Sequence, residues 1–434
     1  MTITAKGQPA AADRAFRYRA FRWLWTGETV SLLGTSTSSV LLALVAAVEF
    51  SATPFWMGLL TAATWLPWLL IGLPAGAWVD GWDPRRVMIC CGLVAALATA
   101  SVPIGWQLGV LSLAQLLVVA LLTGGCNVFF TPAYQRLLPR LVRRGALGSA
   151  NSALQVSQST AQLAGPAAGG LIAHAIGAAV GVWTQAAGFL VSAFCLFRIR
   201  PDAAGADREA TAVPAAPLRQ RIADGLRIVG RDRFLRSFMI IGGISNFGLT
   251  GYGALLVLLL VNQLGVSEAT VGLLGMFSGI GGIAAALVVR RIAGWMGDAR
   301  ALLWVRTLGG PPALLLAFTS AGAGLVWYAL SALLVSFFVV GGNVLTVTFR
   351  QRYVPGELMG RVVTCSQLVN FGTMPVAGVV AGALGNQLGV RTTIVVMAAI
   401  HCAANLGNLI CPLRGLTVLP ARLSLAQVRA DRAN

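Results

Sequence analysis

Apolar residues in this 434-residue chain fall into long runs parted by short polar stretches, which fits neither alternating strands nor one-faced soluble helices. The runs are 21–48, 54–79, 87–107, 110–133, 149–176 and 178–198, then 235–262, 269–293, 301–320, 324–348, 361–387 and 391–412. Each reaches the ~20 residues an α-helix needs to cross a bilayer's hydrocarbon. The pattern predicts an all-α polytopic membrane protein with twelve transmembrane helices. Residues 1–20 read as an N-terminal tail and 21–198 as a first group of six helices. An Ala-, Pro- and Arg-rich linker follows at 199–234, then a second group of six at 235–412 and a C-terminal tail at 413–434. The first run is too long for a signal-peptide core, so it is expected to remain as a spanning helix.

Charge adds an orientation. Lys and Arg total 32 against 14 Asp and Glu, a net charge of +18. Numbering the loops alternately from the N-terminus puts almost every basic residue in one set. That set holds Lys6, Arg14, Arg17, Arg19 and Arg22; Arg85 and Arg86; and Arg136, Arg140, Arg143 and Arg144. It continues with the cluster from Arg198 to Arg236, then Arg290, Arg291, Arg300 and Arg306, then Arg350, Arg352 and Arg361, and the arginines of the tail. Arg391 alone falls in the other set. Cytoplasmic loops carry the basic excess in membrane proteins, so both termini are expected in the cytoplasm. The bias of basic residues towards Arg hints at a GC-rich bacterial genome, hence a bacterial inner membrane. A nucleic-acid-binding surface, the usual meaning of such a charge, needs no alternation, and no nucleic-acid partner is expected.

Composition agrees. The chain is 57% hydrophobic and 11% charged, with 51 glycines that suit close helix packing in lipid. A soluble domain is about a quarter charged. The seven cysteines, Cys90, Cys91, Cys126, Cys195, Cys365, Cys402 and Cys411, show no C-x-x-C and no metal-ligand spacing. No metal and no cofactor are expected.

A weak repeat links the two groups. Gln135-Arg136-Leu-Leu-Pro139 precedes the fifth helix and Gln351-Arg352-Tyr-Val-Pro355 the eleventh; within those helices Pro166-Ala-Ala-Gly169 answers Pro375-Val-Ala-Gly378. Two equivalent six-helix halves are a transporter arrangement.

Three stretches together resemble the major facilitator superfamily. Gly76-Ala-Trp-Val-Asp80-Gly-Trp-Asp83-Pro-Arg85-Arg86 is similar to the loop signature between helices two and three, with Gly81 where a basic residue is usual and Asp83 where glycine is. Its Trp-Asp form resembles the macrolide-efflux and enterobactin-exporter branch of drug:proton antiporters. Gly165-Pro166-Ala-Ala-Gly169-Gly170 is similar to the antiporter motif of helix five, and the Gln-Arg…Pro pair stands in its family position. The resemblance implies an exporter. It also implies a conformational switch built from Gly76, Asp80, Asp83, Arg85 and Arg86, with Arg361 at the start of helix eleven as a partner. The helix-ending acid Asp80 reads equally as a solvated loop residue. The helix-five proline and glycines read either as a gate seam against Gly275 and Gly279 of helix eight or as a static kink.

Polar residues at helical spacing mark candidate walls of a central cavity. Glu28, Ser31, Thr35 and Ser38 recur in helix one, and Asn151, Gln155, Gln158 and Gln162 in helix five. Asn127, Asn246, Asn343 and Thr346, and Gln367 and Asn370 add positions in helices four, seven, ten and eleven. His401, Asn405 and Asn408 share a face of helix twelve. Amides in a bundle also bond between helices, so each of these has a packing alternative.

Glu28 is the acid set clearly inside a spanning run. A buried carboxylate is neutralised by a proton or by a partner. Glu28 is therefore either a proton-coupling acid or the partner of Arg22 or a nearby basic loop. Helix one lacks the aspartate, and helix four the arginine, that related antiporters carry. No buried arginine is evident for an anionic cargo.

These readings favour a secondary transporter that exports amphipathic small molecules by proton antiport, expected to be a monomer in the lipid bilayer. A dedicated siderophore or metabolite exporter and a non-transporting receptor remain as alternatives. No catalytic set or phosphate-binding loop argues for an enzyme.

Overall fold

The computed structural model describes residues 15–199 and 226–412, together with 414 and 416; the rest of the expected linker and tails lies outside them. The described residues form twelve spans. These are α1 (Arg19–Glu49), α2 (Pro54–Asp80), α3 (Pro84–Gln107), α4 (Leu113–Leu141), α5 (Leu147–Ile176) and α6 (Ala178–Arg198). The second set is α7 (Arg233–Gln263), α8 (Glu268–Met296), α9 (Asp298–Phe318), α10 (Gly322–Tyr353), α11 (Gly356–Leu388) and α12 (Val390–Ile410). Eleven are long and apolar enough to cross a membrane. α5 has the length, at 30 residues, but its row of amides makes it too polar. Leu97, Phe197 and Leu287 stay exposed on the outer face, where lipid satisfies them.

Local chemistry sets the helix ends. Pro54 and Pro84 open α2 and α3 at positions where a missing N–H costs nothing. Asp83 caps α3 by accepting from Arg85 N at 2.9 Å, and Ser112 caps α4 by accepting from Gln115 N. Gly177 and Gly389 join α5 to α6 and α11 to α12 as single residues at φ +89° and +84°, a conformation that excludes most other side chains.

Several helices run past their predicted ends. α4 continues to Leu141 and carries Arg136 and Arg140 on its last turns; α8 carries Arg290 and Arg291, and α10 carries Arg350 and Arg352. These arginines are helical rather than in loops, because a long side chain reaches polar surroundings from inside a helix. Arg136 Nη1 donates to the carbonyl oxygens of Val79 and Trp82, satisfying the end of α2. Arg352 pairs with Asp298, the first residue of α9, in the equivalent place. The exceptional Arg391 donates to Ala317 O and Thr319 O, closing the frayed end of α9.

The repeat extends to packing. α1 packs on α5 and α6, α2 on α4, and α3 on α4 and α6; α7 packs on α11 and α12, α8 on α10, and α9 on α10 and α12. α1 and α7 both end in π-helical turns, Val45–Glu49 and Leu259–Gln263, which touch each other.

The halves meet chiefly through α2 against α11 and α5 against α8. A Cβ on Gly58 would overlap Gly378 O and come within 2.8 Å of Gly382 Cα; one on Gly272 would sit 2.5 Å from Pro166 O and 2.7 Å from Gly170 Cα. These seams occupy the arginine-poor end, where one apolar cluster unites Leu41, Leu44 and Met57 with Leu255, Leu259 and Met397. At the arginine-rich end each half has its own core, around Phe21, Met88 and Leu137 in one and Phe234, Leu302 and Phe349 in the other. The bundle is closed at one end and parted at the other.

Gly58→Val should lower the melting temperature in detergent, since the added bulk meets backbone and overpacking costs about 1–3 kcal/mol. Gly125→Ala, whose Cβ meets nothing within 4 Å, should not. Equal melting of the two variants would overturn the close-contact account of the seam.

Candidate functional site: the central cavity

Between the halves lies a cavity of about 990 Å³. Its walls come mostly from α1 to α6, with Thr250, Gly253, Ala254 and Val257 of α7 closing the far side. Glu28, Ser31 and Thr35 line it from α1, Asn127 and Tyr134 from α4, and Asn151, Gln155 and Gln158 from α5. Each set shares one helix face, so the stripe on each helix turns into one wall.

Other expected wall residues lie elsewhere. Gln162, Asn246, Asn343, Gln367 and Asn370 are not among those lining this cavity. Asn246 Nδ2 donates to Asn370 Oδ1 at 3.2 Å, tying α7 to α11. His401, Asn405 and Asn408 are buried in the second half. His401 Nδ1 lies 2.9 Å from Ser245 O and its Nε2 3.2 Å from Gly309 O, while Asn405 Nδ2 donates to Ser245 Oγ at 3.0 Å. That face binds α12 to α7 and α9.

Glu28 is 8% exposed, and its Oε1 has no hydrogen-bond partner among the described residues. No cation there lies within ion-pair distance, so the pairing with Arg22 is not formed. Gln185, on the same cavity wall, likewise leaves its Oε1 unpartnered.

Several wall residues gave no sequence signal. Trp65 and Trp68 line the cavity and meet Phe371 of α11, Trp65 stacked at a centroid distance of 5.5 Å and Trp68 tilted at 5.0 Å. This places an aromatic contact between the halves beside the polar wall. Both tryptophans sit in a uniformly apolar run, where periodicity cannot tell a lipid face from a cavity face. Cys91 and Cys126 also line it.

Asp83, Arg85 and Arg86 of the expected switch make contacts inside their own half. Arg85 Nε and Nη2 donate to Leu196 O and Phe197 O at the end of α6, and Arg86 lies 3.6 Å from Asp83. The side chain of Asp80 is outside the described residues. A Cβ on Gly76 would meet nothing within 4 Å. Gly165 and Gly169 of α5 press on Ser36 and Thr37 of α1, whereas Pro166 and Gly170 form the seam with α8. Gly275 would place a Cβ 2.7 Å from Pro166 Cβ and Gly279 one 2.5 Å from Leu163 Cα.

One expectation is corrected. Arg306 is not a loop residue: Gly297 alone joins α8 to α9, so Arg306 stands two turns inside α9. Its Nη1 donates to Thr346 Oγ1 at 3.0 Å and its guanidinium lies 5.2 Å from the Phe238 ring. The second half therefore holds a half-buried arginine within a spanning helix, with its Nε buried.

The family model described as Major Facilitator Superfamily matches residues 24–374. The multidrug efflux pump Tap of Mycolicibacterium fortuitum is 31% identical over 182 residues, 41% of this chain and 44% of the pump. The match thus spans less than half of that relative's length. The uncharacterized MFS-type transporter YfiS of Bacillus subtilis is 26% identical over 378 residues, 83% of this chain and 84% of its own. Among solved structures, a variant of the nucleoside transporter NupG superposes with TM-score 0.74 at 10% identity, covering 90% of this chain and 99% of that one. A bacterial homologue of the iron transporter ferroportin gives 0.71 at 16% identity in its inward-facing state, covering 90% and 98%. Its outward-facing state gives 0.58 at 18% identity over the same shares.

With Cys126 as the sole cysteine, a membrane-impermeant thiol reagent should label the protein from the arginine-rich side. With Cys365 alone, which is 1% exposed, it should not. Labelling of Cys126 only from the opposite side would refute the direction of the cavity.

Proposed function

Because the chain belongs to the major facilitator superfamily of membrane transporters, we propose that it exports amphipathic small molecules from the cell by proton antiport, through alternating access. The arginine-rich end is the cytoplasmic one by the distribution of basic residues. The parted halves then make this an inward-open conformation, ready to load cargo from the cytoplasm or the inner leaflet.

The observation that carries this reading is the unpaired carboxyl of Glu28 in the wall of a large cavity that mixes aromatic and amide surface. Aromatic rings and amides hold bulky, weakly polar molecules without demanding one geometry. A carboxyl without a protein partner has two available ones, a proton or a polar group of the cargo. If these exclude one another, occupancy by cargo releases the proton inside, and reprotonation from outside displaces the cargo. That exclusion is the minimum an antiporter needs. The multidrug efflux relatives support the direction of transport.

The loop motif at α2 and α3 supplies the complementary latch. In the outward-open state, Asp80 at the end of α2 and Arg361 at the start of α11 would form the contact that holds the cytoplasmic end closed; Asp83, which caps α3, and Arg85, bound to the end of α6, set the α2–α3 corner for it. Pro166 and Gly170 keep the α5–α8 seam thin enough to open and reseal, while Gly169 lets α5 lie close on α1.

Transport into inverted vesicles with cationic, neutral and anionic amphiphiles, read alongside lumenal pH, tests the reading. Glu28→Gln should keep the fold and lose cargo-dependent proton flux, while cargo binding persists. Proton flux equal to the wild type in that variant would remove Glu28 from the mechanism.

A further inference from the structure

Among the described residues, the charge of Arg306 meets the Phe238 ring at 5.2 Å and no opposite charge. Among the described residues no carboxylate lies within ion-pair distance of it. Its Nε is buried without a partner, and Nη2 makes no hydrogen bond there either. Only Nη1 is engaged, and its acceptor is fixed: Thr346 Oγ1 gives its own proton to Gly342 O at 2.7 Å, turning a lone pair to the guanidinium. Nε and Nη2 share one edge of the planar group, the edge that grips a carboxylate in a bidentate way. An arginine serving only as a strut would use that edge.

The surroundings are shaped to admit the side chain and leave a notch in front of it. Gly342 lies against the arginine stem, where a Cβ would come 3.2 Å from Arg306 Cγ. Across from it, the space over Gly242 is flanked by Arg306 Nη2 and Asn370 Oδ1, which would stand 3.9 and 3.1 Å from a Cβ there. Gly242 begins a stripe on α7 that continues one turn at a time through Asn246 and Thr250 to Ala254, and the last two line the central cavity. The notch therefore continues the cavity wall towards the end where the halves part.

The repeat relates this notch to Glu28. Counting back seventeen residues from the π-helical turns at Val45 and Leu259 reaches Glu28 in α1 and Gly242 in α7. The same register pairs the cavity-lining Ser39, Val40 and Ala43 with Gly253, Ala254 and Val257. The first half thus carries an acid where the second carries Gly242, and the guanidinium of Arg306 stands beside that glycine at the equivalent depth.

We propose that the Gly242 notch is an anion subsite, in which the free edge of Arg306 binds a carboxylate or sulfonate carried by an amphipathic cargo. The inference rests on the cavity being a cargo site, as proposed above, and narrows the cargo to amphiphiles with an acidic group. A charge-assisted pair in this setting adds a tenfold or greater preference for the acid over its neutral analogue.

Binding to the purified full chain in detergent, followed by isothermal titration calorimetry, tests this with 4-decylbenzoate and its methyl ester. The wild type should bind the acid at least tenfold more tightly than the ester. Arg306→Gln should erase that preference and leave ester affinity intact, and Arg306→Lys should restore part of it. Gly242→Val, which fills the notch but keeps the charge, should behave like Arg306→Gln and remains readable if the arginine variants fail to fold. A preference that survives both Arg306→Gln and Gly242→Val, or its absence from the wild type, would overturn the subsite. Vesicle transport separates the two proposals. Arg306-dependent binding without movement of either probe would leave the subsite standing and count against export. Movement of cationic probes with no acid preference would do the reverse.

Discussion

The structure depends on how closely two pairs of helices approach at the arginine-poor end. In lipid no hydrophobic force drives helix against helix, so association rests on contact between backbones and on the few polar bonds that form. Gly58 on Gly378 and Gly272 on Gly170 supply that contact twice, in equivalent places. Polar contacts reinforce it: Phe55 N donates to Asn386 Oδ1 at 3.3 Å, and His174 lies 3.8 Å from Glu268. Everything towards the other end follows from this joint. The cores around Phe21 and Phe234 remain separate, the cavity between them is open, and a rocking motion has one shared apolar cluster to dismantle rather than three.

Much of this was legible in the sequence because lipid imposes simple rules. Twelve runs of sufficient length and a one-sided distribution of arginine give the spans, and the Gln-Arg…Pro repeat identifies α5 as a spanning helix although its amides make it too polar on average. The amide stripe at Asn151, Gln155 and Gln158 faces the cavity, as its spacing suggested for one of two possible faces. The remainder was hidden for definite reasons. Trp65 and Trp68 are apolar residues among apolar residues, so nothing in their neighbourhood reports which way they point. Arg306 was counted with the loop arginines even though the run 301–320 contains it, because the tally of basic residues took precedence over the register of the helix. The face of α12 carrying His401 has the same spacing as a cavity wall, yet it is spent on Ser245 and Gly309. Periodicity shows that a face is polar; it does not show what the face meets.

The contrast between His401 and the two charged residues separates structural from functional polarity in this bundle. His401, Asn405 and Ser245 illustrate what the fold does with polar groups it needs for packing: their bonds to one another and to carbonyls tie three helices together. Burial without such partners is destabilising, by about 1–3 kcal/mol for a neutral group and more for a charged one. Glu28 and Arg306 are left in that costly condition, one in each half: Glu28 Oε1 and Arg306 Nε are both buried without a partner among the described residues, and the repeat sets Glu28 in register with Gly242, which faces Arg306 Nη2. If they existed to stabilise the fold, the economical arrangement would pair acid with base inside one half. With Glu28 on the cavity wall and Arg306 beside Gly242, each is left for a third species to complete, and under the function proposed above that species is the cargo.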